Sequence, residues 1–291
     1  MKQFLRAIRI GSFAKQSLEE EHAGKVMGVT SKGVFLLFGQ KSLFLTEAQG
    51  LSPFNLVVPV GSALQEGFKT RSEAYFSAGD LLIPSRQITI SLGGAEVWEP
   101  PQPQLLEDSA GYLKEYLTQL VTEVTKFSND KGFLFLAADE STLTNDQKDI
   151  FSLTRAFTCA FEAQEKEACL AAADSLFGLG GGLTPSGDDW LAGFILCRAR
   201  TVQTEAERDF LQQLGAELTR MAYVKTTYVS TNRLEAACKG WSEELFLRVV
   251  DFGDESNKES LVELAQILYG FGHSSGVDTL MGIWAASGLS S

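Results

Sequence analysis

"WEPPQPQ", residues 98–104, places three prolines within seven positions. Proline fixes φ and removes a backbone donor, so neither a strand ladder nor a regular helix is expected to run through it. The two sides of this stretch carry different periods. On its N-terminal side, "KVMGVTSKGVFLLFG" (25–39), "KSLFLT" (41–46), "FNLVVPV" (54–60), "DLLIPS" (80–85) and "QITISL" (87–92) are short runs rich in Val, Ile, Leu and Phe. Gly, Pro, Ser and Asn separate them, which reads as an all-β domain with a small barrel as its expected form.

On the C-terminal side the period becomes helical. "YLKEYLTQLVTEVTKF" (112–127) sets Tyr112, Leu113, Tyr116, Leu117, Leu120, Val121 and Val124 three and four apart, and "RDFLQQLGAELTRMA" (208–222) and "ESLVELAQILYGF" (259–271) repeat the pattern. An α+β chain is predicted: a β-rich domain over 1–104 and a helical bundle over 105–291. The strand-like "GFLFLAAD" (132–139) is the expected exception, a return to the β domain.

With 291 residues, two domains are the natural division. Lys and Arg number 25 against 37 Asp and Glu, a net charge of −12 with no basic cluster, which speaks against nucleic acid or anionic membrane as a partner. The start "MKQFLRAIRIGSFAK" lacks the apolar core of a signal peptide, and no apolar run reaches 18 residues, so a cytoplasmic protein is expected. Cys159, Cys169, Cys197 and Cys238 each sit in an apolar helical pattern and read as small core residues. With only His22 and His273 available, a histidine-based zinc site is not expected.

The chemistry concentrates in "GGGLTPSGDDW" (180–190). Shifted by 89 residues it meets "GFGHSSGVDTLMGIW" (270–284): Ser186, Gly187, Asp189, Leu191 and Gly193 fall on Ser275, Gly276, Asp278, Leu280 and Gly282. Both copies spell S-G-x-D-x-L-x-G after an amphipathic segment, which predicts two pseudo-symmetric helix–loop–helix units. Ser186 with Asp189, and Ser275 with Asp278, have the spacing of a capping box. Four features exceed simple capping: the helix-weakening Gly187 and Gly276, the run Gly180, Gly181 and Gly182, the extra carboxylate Asp188, and His273 at the loop position of Thr184. If the two units pair, two glycine-opened helix N-termini converge on a small anion. Asp188 is then expected to bind Mg²⁺ or to accept a proton or N–H from the substrate, and His273 to act as a donor or acid–base group. In a third stretch, "VKTTYVSTNRLEAACKG" (224–240), helical spacing puts Thr226, Ser230 and Arg233 on one stripe.

Together these stretches, G-L-T-P-S-x-D-D, T-T-x-x-S-x-x-x-L-x-x-A-x-x-G and G-H-[ST]-S-G-x-D-T-L-x-G, resemble the AllH family. The matches are Gly182 to Ser186 with Asp188 and Asp189; Thr226, Thr227, Ser230, Leu234, Ala237 and Gly240; and Gly272, His273, Ser275, Gly276, Asp278, Thr279, Leu280 and Gly282. Gly187 and Arg233 lie outside that pattern, and the β half carries no matching motif. The resemblance implies the third subunit of an oxamate carbamoyltransferase, beside an FdrA-like subunit and a second large subunit, in anaerobic allantoin and purine catabolism. Oxalurate and phosphate would become oxamate and carbamoyl phosphate. On this reading Asp188 and His273 are catalytic, and Gly181, Gly182, Thr184, Ser186, Gly187, Asp189, Thr226, Thr227, Ser230, Ser275, Gly276 and Asp278 bind substrate. Two alternatives stay open: a non-catalytic assembly subunit, and a Mg²⁺-dependent hydrolase in which Asp188, Asp189 and Asp278 share the metal.

Overall fold

The computed structural model describes residues 3–61, 67–103, 109–128, 130–251 and 260–288. The chain forms two compact units, Met1–Pro101 and Gln102–Ser291.

The first unit is a ten-stranded sheet among the described residues, in the order β1-β9-β8-β7-β3-β4-β5-β6-β2-β10. β1 (Gln3–Arg6) and β2 (Arg9–Gly11) are separated by two residues, yet they lie near opposite ends of that order. The sheet must therefore curl until its ends approach. Ala7 N–H reaches Ser91 O (2.9 Å) on one side and Ile8 N–H reaches Val57 O (2.8 Å) on the other. β3 (Ala23–Thr30), β4 (Gly33–Phe38) and β5 (Lys41–Thr46) form an antiparallel meander, and β6 (Asn55–Val57) runs parallel to β5. β7 (Glu73–Ser77) and β8 (Asp80–Ile83) form a hairpin whose two turn residues, Ala78 and Gly79, have φ of 53° and 82°. Two positive φ values are what the twist-matched two-residue turn requires. β9 (Ile88–Ser91) and β10 (Glu96–Trp98) complete the sheet, whose inward residues include Val34, Leu36, Phe38, Leu45, Leu56, Leu81 and Ile90.

The barrel-like expectation holds, and the opening residues add an element that strand patterns did not predict. α1 (Ser12–Glu20) buries Phe13, Ala14, Ser17 and Leu18, a helical stripe packed on β5.

The second unit is helical: α2 (Ser109–Thr125), α3 (Asn145–Glu162), α4 (Lys166–Leu176), α5 (Ser186–Thr201), α6 (Glu205–Lys225), α7 (Tyr228–Ala237), α8 (Glu244–Val250), α9 (Leu261–Gly270) and α10 (Ser275–Ser287). "GFLFLAAD" does not return to the β unit as a strand. Gly132–Ala137 is a 3₁₀ segment within the helical unit that buries Phe133, Leu134 and Phe135. A short apolar run has no period by which to tell strand from helix, and here the helices around it decide. α5 is buried over most of its length, as a central helix must be; Trp190 and Phe194 meet Phe157 of α3 edge-on at 5.8 and 5.1 Å.

α4–α5 and α9–α10 are the two predicted helix–loop–helix units. α5 and α10 approach so closely that backbone meets backbone. A Cβ on Gly193 would stand 2.1 Å from Thr279 O, and one on Gly282 would stand 2.0 Å from Trp190 O. The two glycines are equivalent in the repeat, and so are the two carbonyls they meet. Cys169 and Cys197 are buried as expected, Cys238 is half-buried, and Cys159 is exposed, which departs from its expected core position.

Candidate functional site

The three motif stretches come together at the N-terminal ends of α5, α7 and α10. Thr184 and Ser275 share a hydroxyl–hydroxyl hydrogen bond of 2.7 Å, 91 positions apart in sequence. Thr227, the N-cap of α7, accepts from Ser230 N–H and donates its own hydroxyl to Leu183 O (2.6 Å). Thr226 donates to Asp188 Oδ2. The stretches that sequence comparison left separate therefore form one knot.

Inside that knot the serines do not cap as expected. The N-caps are Pro185 and Ser274, neither making a side-chain cap bond, and Ser186 and Ser275 are the first helical residues. Capping boxes do occur in this unit, at Thr144 with Gln147 and at Ser260 with Glu263. The motif aspartates instead lie close to the start of the opposite helix. The Asp189 carboxylate of α5 feels the Ser275 hydroxyl at the start of α10, while Asp278 of α10 feels Ser186 at the start of α5. Each carboxylate thus lies beside the N-terminus of its neighbour, where the helix dipole favours negative charge, and each keeps a buried Oδ2 without a hydrogen-bond partner among the described residues.

The carboxylates are also engaged one by one. Asp188, 3% exposed, accepts from Gly178 N–H at Oδ1 (2.9 Å) and from Thr226 at Oδ2. Burial raises its pKa, and those donors, with Ser230, pull it back. Asp189 is ion-paired with Arg233, which also meets Glu243 at 3.3 Å and lies over the Phe246 ring. Burial nevertheless pushes Asp189 up to about 7, with Arg233 lowering it and Asp278 raising it. Asp278 accepts from Phe133 N–H (2.6 Å) on the 3₁₀ segment, and burial raises its pKa as well. The expected single stripe of Thr226, Ser230 and Arg233 is not formed, because Thr226 ends α6 while Ser230 and Arg233 lie on α7; Thr226 nevertheless reaches Asp188 and Arg233 reaches Asp189.

These contacts correct two expectations. Asp188 was the carboxylate without a structural partner, and the structure gives it two, Gly178 N–H and the Thr226 hydroxyl. Asp188, Asp189 and Asp278 do not share a metal: among the described residues no group of three or more Asp, Glu, His or Cys stands close enough to hold one. The helix-start amides are also less available than predicted, because Gly187 N–H goes to Leu179 O (2.9 Å) and Gly276 N–H to Phe271 O (3.1 Å). Both glycines are buried for a packing reason. A Cβ at either would stand 2.1 Å from a carbonyl of the preceding helix, Leu176 O or Leu268 O.

What faces outward is the rim. Gly180, Gly181, Gly182 and Leu183 are exposed, as are Gly272 and His273. Gly180 and Gly182 take φ of 112° and 89°, a path closed to most side-chain-bearing residues. His273 makes no side-chain hydrogen bond or ion pair among the described residues. Glu243, the second partner of Arg233, and the Lys131–Phe133 stretch were missed by sequence reasoning. Gly132 at φ 53°, where a Cβ would meet Asp278 Oδ1 at 2.1 Å, was the only local signal of that approach. A cavity of about 290 Å³ lined by Thr125, Lys126, Leu134, Ala137 and Ala138 contains none of the predicted site residues.

Fold and site together define a domain of paired helix–loop–helix units, joined by the Thr184–Ser275 hydrogen bond and presenting a glycine-rich rim. Residues 176–287 match the family model described as oxamate carbamoyltransferase subunit AllH, so this segment of the helical unit is similar to that family. Neither a curated protein nor a solved structure matches it. No described helix is long and apolar enough to cross a membrane.

Proposed function

We propose that this chain is a subunit of a carbamoyltransferase complex, working with an FdrA-like subunit and a second large subunit, and that its rim takes a small anion. The observation that carries the reading is the gathering of three helix N-termini, α5, α7 and α10, under one exposed edge, with Thr184 bonded to Ser275 and Thr227 to Leu183. Aligned peptide dipoles favour negative charge there. Gly180 to Gly182 allow a ligand to come close to the backbone, and the Thr184 hydroxyl lies beside them, while the Thr227 hydroxyl is already donated to Leu183 O and holds the loop in place. The fitting ligands are phosphate, carbamoyl phosphate, or the carboxylate of oxalurate.

In the reaction the family description suggests, a phosphate oxygen attacks the carbamoyl carbon of oxalurate and the C–N bond to oxamate breaks. The proton leaving phosphate must reach the departing nitrogen. His273, exposed at the rim, is the group of this chain suited to carry it. Asp188, Asp189 and Asp278 act as struts that fix the loops. The pathway served would be the breakdown of allantoin and purine nitrogen.

Calorimetric titration of the full chain and of the reconstituted complex with phosphate, carbamoyl phosphate, oxalurate and oxamate tests the reading. Binding is expected in the complex and is weakened about tenfold or more by Gly181→Trp, which fills the rim. Undiminished binding with Gly181→Trp would remove the rim from the site.

A second reading, an assembly subunit without catalytic groups, is favoured by one observation: each motif aspartate is engaged inside the knot. It predicts that His273→Ala leaves turnover of the complex within about threefold, a barrier change below about 0.7 kcal/mol.

A further inference from the structure

Beside the rim lies an apolar face that neither the knot nor the proposed chemistry uses. Seven large apolar side chains are exposed in the described part of the helical unit, and three of them, Leu183 (37%), Val224 (84%) and Tyr228 (36%), gather where α6 hands over to α7. The Thr227 hydroxyl holds Leu183 O at 2.6 Å, which brings the glycine loop alongside Tyr228, and Val224 stands in the last turn of α6. A single exposed apolar residue needs no explanation, but a cluster at the edge of a candidate site marks an interaction surface.

Charge says what should cover it. Residues 102–291 hold 15 Lys and Arg against 28 Asp and Glu, a net −13, while residues 1–101 hold 10 against 9. The cations around the knot are already engaged: Lys225 with Asp174 (2.9 Å), Arg233 with Asp189 and Glu243, Lys131 with Tyr269 O. A small anion at the rim would therefore meet helix N-termini and hydroxyls but no spare side-chain cation among these. A second copy of the helical unit would set −13 against −13.

We propose that the Leu183–Val224–Tyr228 face seats a different polypeptide, one presenting an arginine or lysine beside an apolar side chain, and that this cation completes the anion site from outside. The assignment rests on the carbamoyltransferase-subunit reading and names the surface through which it operates. Apolar contact supplies the affinity and the cation supplies charge complementarity, so association weakens with added salt.

The test uses the full chain co-expressed with the two large carbamoyltransferase subunits, with the photo-crosslinking residue p-benzoylphenylalanine replacing Val224, and Val224→Glu as a separate variant. Expected are a crosslink to a large subunit, at least about tenfold weaker association for Val224→Glu with an unchanged melting temperature, and weaker association between about 50 and about 500 mM salt. A crosslink between two copies of this chain overturns the proposal. So does a stable complex in which position 224 captures nothing and Val224→Glu has no effect. If no complex forms with the large subunits, the carbamoyltransferase-subunit reading itself falls, and the docking face with it.

Discussion

Replacing Gly193 with alanine puts one methyl group where two backbones already touch. The new Cβ would lie 2.1 Å from Thr279 O and 3.0 Å from Thr279 C, both atoms of α10's own backbone. No side-chain rotation relieves this contact, so α5 and α10 must part by about 1 Å to restore ordinary van der Waals separation. Overpacking of this kind destabilises by about 1–3 kcal/mol, with the upper end expected where the obstacle is main chain. The better helix propensity of alanine offsets up to about 1 kcal/mol. A net loss of about 2 kcal/mol remains, and for a unit of this size it lowers the melting temperature by about 4–8 °C. Gly282→Ala should do the same, since its Cβ would meet Trp190 O at 2.0 Å. Once the first methyl has separated the helices, the second finds room, so the double variant should fall short of additivity by about 1 kcal/mol. Scanning calorimetry of the full chain measures all three, with Gly181→Ala as control because nothing lies within 4 Å of its Cβ. If Gly193→Ala melts at or above the wild type, the close crossing of α5 and α10 is wrong.

Asp188, Asp189 and Asp278 all have pKa values raised by burial, Asp189 to about 7. A raised carboxyl contributes stability that is full below its unfolded pKa near 3.8 and is lost as pH rises through the folded value. The unfolding free energy of Asp189→Asn relative to wild type, from denaturant melts, should therefore rise between about pH 4 and pH 7 by up to about 1.4 kcal/mol per pH unit, and a flat difference would refute the assignment. Asp188→Ala leaves Gly178 N–H and the Thr226 hydroxyl without their acceptor and should cost about 2–4 kcal/mol by denaturant melts. Asp188→Asn keeps one acceptor and should cost less. Gly132→Ala, at φ 53° and against Asp278 Oδ1, should destabilise more than Gly50→Ala, whose Cβ meets nothing within 4 Å.

The period change across "WEPPQPQ" made the α+β order legible, because alternation and three-four spacing are local properties. α1 was not legible: its nine residues follow two short strands, and its amphipathic stripe Phe13, Ala14, Ser17 and Leu18 is too brief to stand out. The 89-residue repeat revealed the paired units, and the glycines at its seventh step, Gly193 and Gly282, proved to be their contact. What the repeat could not reveal was where its aspartates go: Asp189 to Arg233 and Asp278 to Phe133 N–H. Ser186 and Asp189 have the spacing of a local capping box, and nothing in either copy alone says that partners distant in sequence win. The same limit applies to Asp188, whose partners Gly178 and Thr226 come from two other segments. Arg233 was visible in the third stretch, but Glu243 was not, since its link to Arg233 is purely tertiary.

The most direct measurement is steady-state turnover of oxalurate and phosphate by the complex of this chain with its two large subunits, for wild type and His273→Ala. Expected are dependence on this chain and a fall in kcat/KM of about 100-fold for His273→Ala with an unchanged melting temperature. Full turnover without this chain would contradict its place as a carbamoyltransferase subunit, and His273→Ala within about threefold of wild type would take the proton-carrying role from the rim.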